Sequence, residues 1–201
     1  MNKLAFGAAL AALSLTLPGV ASAQRAPGAV IVVVDTDRIY RECNACRAAQ
    51  TQLQSQITAA QQRAQALGQP IQSEGQSIEQ AARAAANQQG AARTAAETAL
   101  QQRVTALQGR QTAANQELQR LQQNIQSTQA NVVRQINVRL NPIITQVMTA
   151  RGGNIALDSN ATLSAAPGLD VTAEVMAALN QQLPSVSVTP LPQQQQQPAG
   201  R

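Results

Sequence analysis

From 44 to 150 the chain is dominated by Gln, Ala and Arg, with aliphatic residues returning at heptad spacing. A strand-like segment stands on either side, 29–35 (AVIVVVD) before it and 154–158 (NIALD) after it. Two strands that share one small body require the chain between them to go out and come back. A helical hairpin does this, and one of this length cannot bury itself in a chain of 201 residues, so it must project.

The outgoing half carries Leu53, Ile57, Ala60, Ala64, Leu67, Ile71, Ile78, Ala81 and Ala85 at steps of three and four, with one lapse at Glu74-Gly75. The return half repeats the rule at Leu100, Val104, Leu107, Ala114, Leu118, Leu121 and Ile125, with Gln111 in one core slot. That is the seam of a two-stranded coiled coil. From Val132 the spacing relaxes through Ile136, Leu140, Ile143 or Ile144, and Val147 toward a 3.6 period, as in a helix leaving a seam to pack on a globular body. Asn87-Gln88-Gln89-Gly90 is polar, contains Gly and falls where the heptads lapse, so it marks the turn. The outgoing helix would reach roughly 65 Å. Gly68, Pro70 and Gly75 interrupt it, and Pro70 is predicted to kink it at a cost of ~3 kcal/mol. The four arm glutamates, Glu74, Glu79, Glu97 and Glu117, read as isolated, solvated positions.

Outside the arm, Asp35 and Asp37 open a first helix, and Gly152-Gly153 stops the returning one. Segments 154–158 and 161–164 read as a hairpin around Ser159-Asn160, and 165–170 as a loop. Thr172 is the predicted cap of a helix to about 182, with Val171, Val175, Met176 and Leu179 on one face. Segment 185–189 alternates like a short strand, and 190–201, with five consecutive Gln between prolines, reads as a disordered tail. The expected class is α+β: a β-containing body from 24–43 and 151–189, and a projecting coiled-coil hairpin at 44–150 with its tip near 87–93. Such a body is small and holds one aromatic residue, Tyr40, so it calls for oligomerisation.

The first residues read as a secretory signal: Lys3, an apolar run at 4–17, the Pro18-Gly19 break, and Ala21-Ser22-Ala23 as the cleavage site. Cleavage after Ala23 would leave an exported chain with no lysine. Positive charge is concentrated on the arm, where nine Arg face four Glu, while the rest of the mature chain holds five Arg and six acids. Export and the lack of a basic run with stacking aromatics argue against nucleic acid. The dispersed residues Arg63, Arg83, Arg93, Arg103, Arg110, Arg120 and Arg134 form a weakly basic surface suited to acidic or amphipathic partners, or simply a solvated face. Cys43-Asn44-Ala45-Cys46 is the one reactive-looking motif. A local structural disulfide suits an oxidising compartment; free thiols, an intersubunit bond and disulfide exchange are the alternatives. With no His, Ser-His-Asp and Cys-His mechanisms are excluded within the chain, and two Cys make a poor metal site. No catalytic set, cofactor motif or metal site is expected.

Three stretches, in order around this hairpin, resemble the Skp/OmpH family of periplasmic chaperones. Val34-Asp35-Thr36-Asp37-Arg38-Ile39 is similar to the family's first strand and helix start. Asn154-Ile155-Ala156-Leu157-Asp158-Ser159-Asn160-Ala161 resembles its strand-turn-strand, and Leu169-Asp170-Val171-Thr172-Ala173-Glu174-Val175 with Leu179-Asn180 its closing helix. The resemblance spans 29–182. It implies a periplasmic homotrimer whose joined strands carry three arms around a cavity. It also implies a non-enzymatic, ATP-independent holdase for unfolded outer-membrane β-barrel proteins. The alternative is a structural coiled-coil adaptor of the cell envelope. The arms here are richer in Gln and Ala than the family's usual Lys/Glu-rich arms. With no lysine in the mature chain, a lysine-based contact of the family with anionic lipid or lipopolysaccharide has no identical counterpart, and Arg93, Arg103 and Arg110 are the candidate substitutes.

Overall fold

The computed structural model describes residues 28–192, so the signal segment and 193–201 of the tail lie outside the described residues. Strand β1 (Ile31–Val34) is a run of β-branched residues, a composition that favours extended backbone. Helix α1 (Thr36–Glu42) begins where Asp35 Oδ1 accepts the Arg38 N–H at 2.7 Å, satisfying one of the unpaired donors of its first turn. Extended backbone at Cys43 separates α1 from α2 (Asn44–Ala86), and its sulfur accepts the Cys46 N–H at 3.1 Å. Helix α3 (Gly90–Ala150) returns over 61 residues. The turn between the two occupies 87–89, and Gly90 sits at φ +58°, a conformation that favours glycine. Helix α2 runs on through Pro70 unbroken.

Helix α3 stops at Gly152, whose φ of +71° is left-handed. The Gly152 N–H donates to Thr149 O at 2.9 Å and the Gly153 N–H to Met148 O at 2.8 Å. Gly153 is there for space: a Cβ would lie 3.0 Å from Met148 Cγ and 3.1 Å from Val32 Cγ1. The chain then enters β2 (Ile155–Asp158), which pairs in parallel with β1 in the register Ile31↔Ile155 to Val34↔Asp158. Side chains extend this short ladder at both ends. Asn154 accepts from Val30 N at 2.8 Å and donates to Gly28 O at 2.9 Å. At the other end, Thr36 Oγ1 donates to Asp158.

Four expectations change here. The 161–164 strand does not form. Asp158 Oδ1 accepts the Asn160 N–H at 2.8 Å and turns Ser159–Ala161 into a 3-10 helix instead of a hairpin. The partner of β2 is therefore the distant β1. Thr172 is the first residue of α4 (Thr172–Gln182) and not its cap. Asp170 Oδ1 accepts the Thr172 N–H at 2.8 Å, while Thr172 Oγ1 accepts from Asp35 N at 2.8 Å and ties α4 to the start of α1. Segment 185–189 is extended but joins no sheet, because its backbone is bonded by helix side chains. The opening of the predicted tail is tied down as well, with Leu191 N donating to Ser127 Oγ at 2.9 Å.

One core lies where the arm meets the strands. It unites Val32, Val34, Ile39, Cys43 and Cys46 with Val132, Ile136, Leu140 and Ile143 of α3, and Val171, Val175 and Leu179 around α4. The relaxed spacing beyond Val132 is the sequence trace of this junction. Cys43 and Cys46 are joined in a disulfide inside the core.

Candidate functional site

The arm, α2 with most of α3, presents a long surface. Leu53, Ile57, Ala60, Ala64, Leu67, Ile71 and Ile78 of α2 face Leu100, Leu107, Leu118, Leu121 and Ile125 of α3, yet all are only half-buried. Two helices alone cannot cover a seam on all sides, and alanine in many slots leaves it thin. Ala85 near the tip and Ala114 are buried. An apolar groove of about 390 Å³, lined by Ile57, Ala60, Ala64, Leu118, Leu121 and Ile125, opens along the seam. A second, of about 460 Å³, lies at the arm root among Tyr40, Ala49, Leu53, Val132, Val133 and Ile136.

Two seam assignments change. Val104 is exposed, and Arg103 beside it is half-buried. Gln111 is exposed rather than filling a core slot. Arg103 explains the first change. Its Nε donates to Glu74 Oε1 at 2.9 Å and its Nη2 to Ser77 Oγ at 2.8 Å, so the guanidinium bridges the helices at Glu74-Gly75, where the outgoing heptads lapse. Closer to the root, Arg63 forms a two-pronged pair with Glu117, at 2.7 and 3.1 Å. Glu97 pairs with Arg93 one turn away at 2.8 Å. Three of the four arm glutamates are thus ion-pair partners: antiparallel register brings Glu74 and Glu117 to arginines across the seam, while Glu97 stays solvent-exposed and pairs within α3.

The structure divides the seven candidate arginines. Arg63 and Arg103 clasp the two arm helices, and Arg93 is engaged within α3 near the tip. Arg134 donates to Asn131 Oδ1 at 3.3 Å. Arg83, Arg110 and Arg120 make no ion pair or hydrogen bond through their guanidinium groups among the described residues, nor does Arg139. No group of three or more His, Cys, Asp or Glu residues is placed to hold a metal among the described residues, and no helix there is long and apolar enough to cross a membrane.

Hydrogen bonds from Arg103 and Arg63 hold the Glu74 and Glu117 carboxyls below the usual glutamate range. In the body, Arg151 does the same for Glu174, Thr36 for Asp158 and Thr172 for Asp170. A carboxyl whose pKa is lowered by folding stabilises the fold above its unfolded value, and that contribution is lost as pH falls through the folded one. Thermal stability is therefore expected to be flat from pH 8 to about 5 and to decline modestly below about 4, since exposed pairs are screened by solvent. The double change Glu74→Gln and Glu117→Gln should flatten the acid limb. An unchanged acid limb in melting curves would show that the clasps do not contribute.

A long helical hairpin rooted in a small strand-bearing body, its seam half-open and its charge spread along the arm, makes this an arm-bearing α+β protein. The chain is a member of the OmpH-like outer membrane protein family, whose model matches residues 30–179. Its fold is similar to the crystal structure of a candidate outer membrane chaperone (OmpH-like) from Caulobacter crescentus CB15. The TM-score is 0.67 at 20% sequence identity, covering 84% of this chain and 94% of that one. No curated protein matches the sequence at a significant level.

Proposed function

We propose that this protein is an ATP-independent periplasmic holdase that assembles as a trimer and encloses unfolded outer-membrane proteins between its arms. Membership of the OmpH-like family supports a chaperone role in the cell envelope. The observation that carries the holdase reading is the arm surface: aliphatic seam residues remain half-exposed along its length, and Arg83, Arg110 and Arg120 are left without ion-pair partners among the described residues. Half-exposed aliphatics give many weak contacts, and arginines give attraction at a distance. A client held this way stays mobile, because no contact is strong alone. The body supplies the reason to assemble: Ile155, Leu157, Leu163 and Leu169 are exposed large hydrophobics around a sheet of two strands.

The test is dilution of a urea-denatured outer-membrane protein into buffer with the purified mature protein and no nucleotide. Suppressed light scattering and a complex of fixed mass are expected; unchanged aggregation would refute the reading and leave the envelope adaptor. Exposed charges act individually weakly and within a Debye length of roughly 8 Å. Single Arg→Gln changes at Arg83, Arg110, Arg120 or Arg134 should therefore leave capture nearly intact. All four together should slow capture and flatten its dependence on ionic strength. Normal capture by the combined variant would assign binding to apolar contact alone.

A further inference from the structure

The segment that follows α4 is a β-strand pattern laid against helices. Residues 185–192 leave the body and climb α3 toward the arm tip, with Val186, Val188 and Leu191 turned inward and half-buried, and Ser185, Ser187 and Thr189 exposed. Both valines pack against the core cluster. The polar contacts come from side chains of both arm helices. Gln135 pairs with the backbone of Ser187 through both ends of its amide, donating to the Ser187 carbonyl and accepting from its N–H, each at 2.9 Å. Asn131 Nδ2 donates to Thr189 O at 2.9 Å, Gln56 Nε2 to Val188 O at 3.0 Å, and Ser127 Oγ accepts from Leu191 N at 2.9 Å. All five of these bonds end on the segment's backbone.

The spacing explains why helices can do this. Ser187, Thr189 and Leu191 meet Gln135, Asn131 and Ser127, so two strand residues match four helix residues. Two extended residues advance ~6.6 Å and four helical residues ~6 Å, which keeps the two in step over this length. Backbone amides and alternating aliphatics are common to any extended segment, whatever its sequence. The track does not end with the segment: Val188, Thr189 and Pro190 line a groove with Ala60, Leu121 and Ile125, and those last three also line the open seam groove beyond.

We propose that this track is a binding site for extended, strand-forming polypeptide in which aliphatic residues alternate with small polar ones. Its base is occupied by the chain's own 185–192 segment as an internal ligand, and its outer part is open among the described residues. The client as source of the ligand rests on the holdase reading; the site itself does not. Alternation of this kind is the sequence signature of membrane β-barrel strands, so the internal ligand has the chemistry of the proposed client.

The test uses the full-length protein and two fluorescein-labelled peptides, one with the chain's own PSVSVTPLP sequence and one an unrelated Val/Thr alternating strand. Anisotropy titrations should show weak binding to the wild type. They should show roughly ten-fold tighter binding of both peptides to Val186→Asp/Val188→Asp, in which the internal ligand is released. If that variant melts early, Ser187→Pro removes the N–H given to Gln135, restricts the local backbone and keeps the valines. Adding Gln135→Leu and Asn131→Leu to either should abolish the gain, and N-methylation at the peptide residue that replaces Ser187 should do the same. Equal, negligible binding by wild type and released variants would make the segment a structural brace and overturn the proposal. So would binding confined to the chain's own peptide, which would point to exchange of the segment between copies. Aggregation suppression with no peptide binding would sink this inference alone. Peptide binding without suppression would sink the holdase reading and leave the track.

Discussion

Truncating Leu140 to alanine is expected to lower the free energy of unfolding by about 2–5 kcal/mol, the range for removing a fully enclosed leucine. Leu140 is 1% exposed and stands in the core where α3 joins β1, α1 and α4. The lost side chain leaves a cavity that strands and helices on every side are poorly able to fill. Leu107→Ala, halfway along the arm, is the control. Leu107 is half-buried, water can occupy the vacated space, and the cost should be well under half as large. Urea denaturation of both variants, followed by circular dichroism, checks the contrast. Equal costs would mean that the arm seam is as tightly organised as the body.

Introducing charge on β2, by Ile155→Asp with Leu157→Asp, is expected to convert the proposed trimer into a monomer. Ile155 is 40% and Leu157 36% exposed, and β2 bonds to β1 along one edge while its other edge has no strand partner among the described residues. An open, aliphatic strand edge is a template for another chain, and buried carboxylates there would cost far more than the aliphatic contact returns. Light scattering should report one protomer's mass, with helicity retained because the substituted side chains lie outside the protomer core. Client suppression should fall sharply, since a single arm encloses nothing. A double variant that stays oligomeric would place assembly on the arms instead.

The course of the arm was readable without a structure, because heptad spacing is a local signal with many repeats. Leu53 to Ala85 and Leu100 to Ile125 mark the seam, Asn87 to Gly90 marks its reversal, and the drift after Val132 marks its entry into the core. Asp35 was likewise legible as a helix start, since capping needs only the next few residues. The misreadings share a different character. Thr172 looks like a cap by type, yet the helix has already begun there: Asp170 accepts the Thr172 N–H, and the Thr172 hydroxyl accepts from Asp35 N instead of from the first turn of α4. Ser159-Asn160 looks like a hairpin turn, yet Asp158 folds it into a 3-10 turn. Glu74 and Glu117 look isolated because their partners, Arg103 and Arg63, lie on the other helix.

Composition and periodicity therefore settle which segments are helical, where the hairpin reverses and which side carries apolar residues, since these follow from interactions within a few residues. The parallel pairing of Ile31–Val34 with Ile155–Asp158, the guanidinium clasps across the seam and the grip of Gln135 on the 185–192 backbone depend on helix register and on how α3 enters the core. A strand pattern at 185–189 says only that the chain will be extended. Which donors and acceptors complete its backbone is decided by what the folded arm brings alongside, and here that is a row of side-chain amides and a hydroxyl rather than another strand.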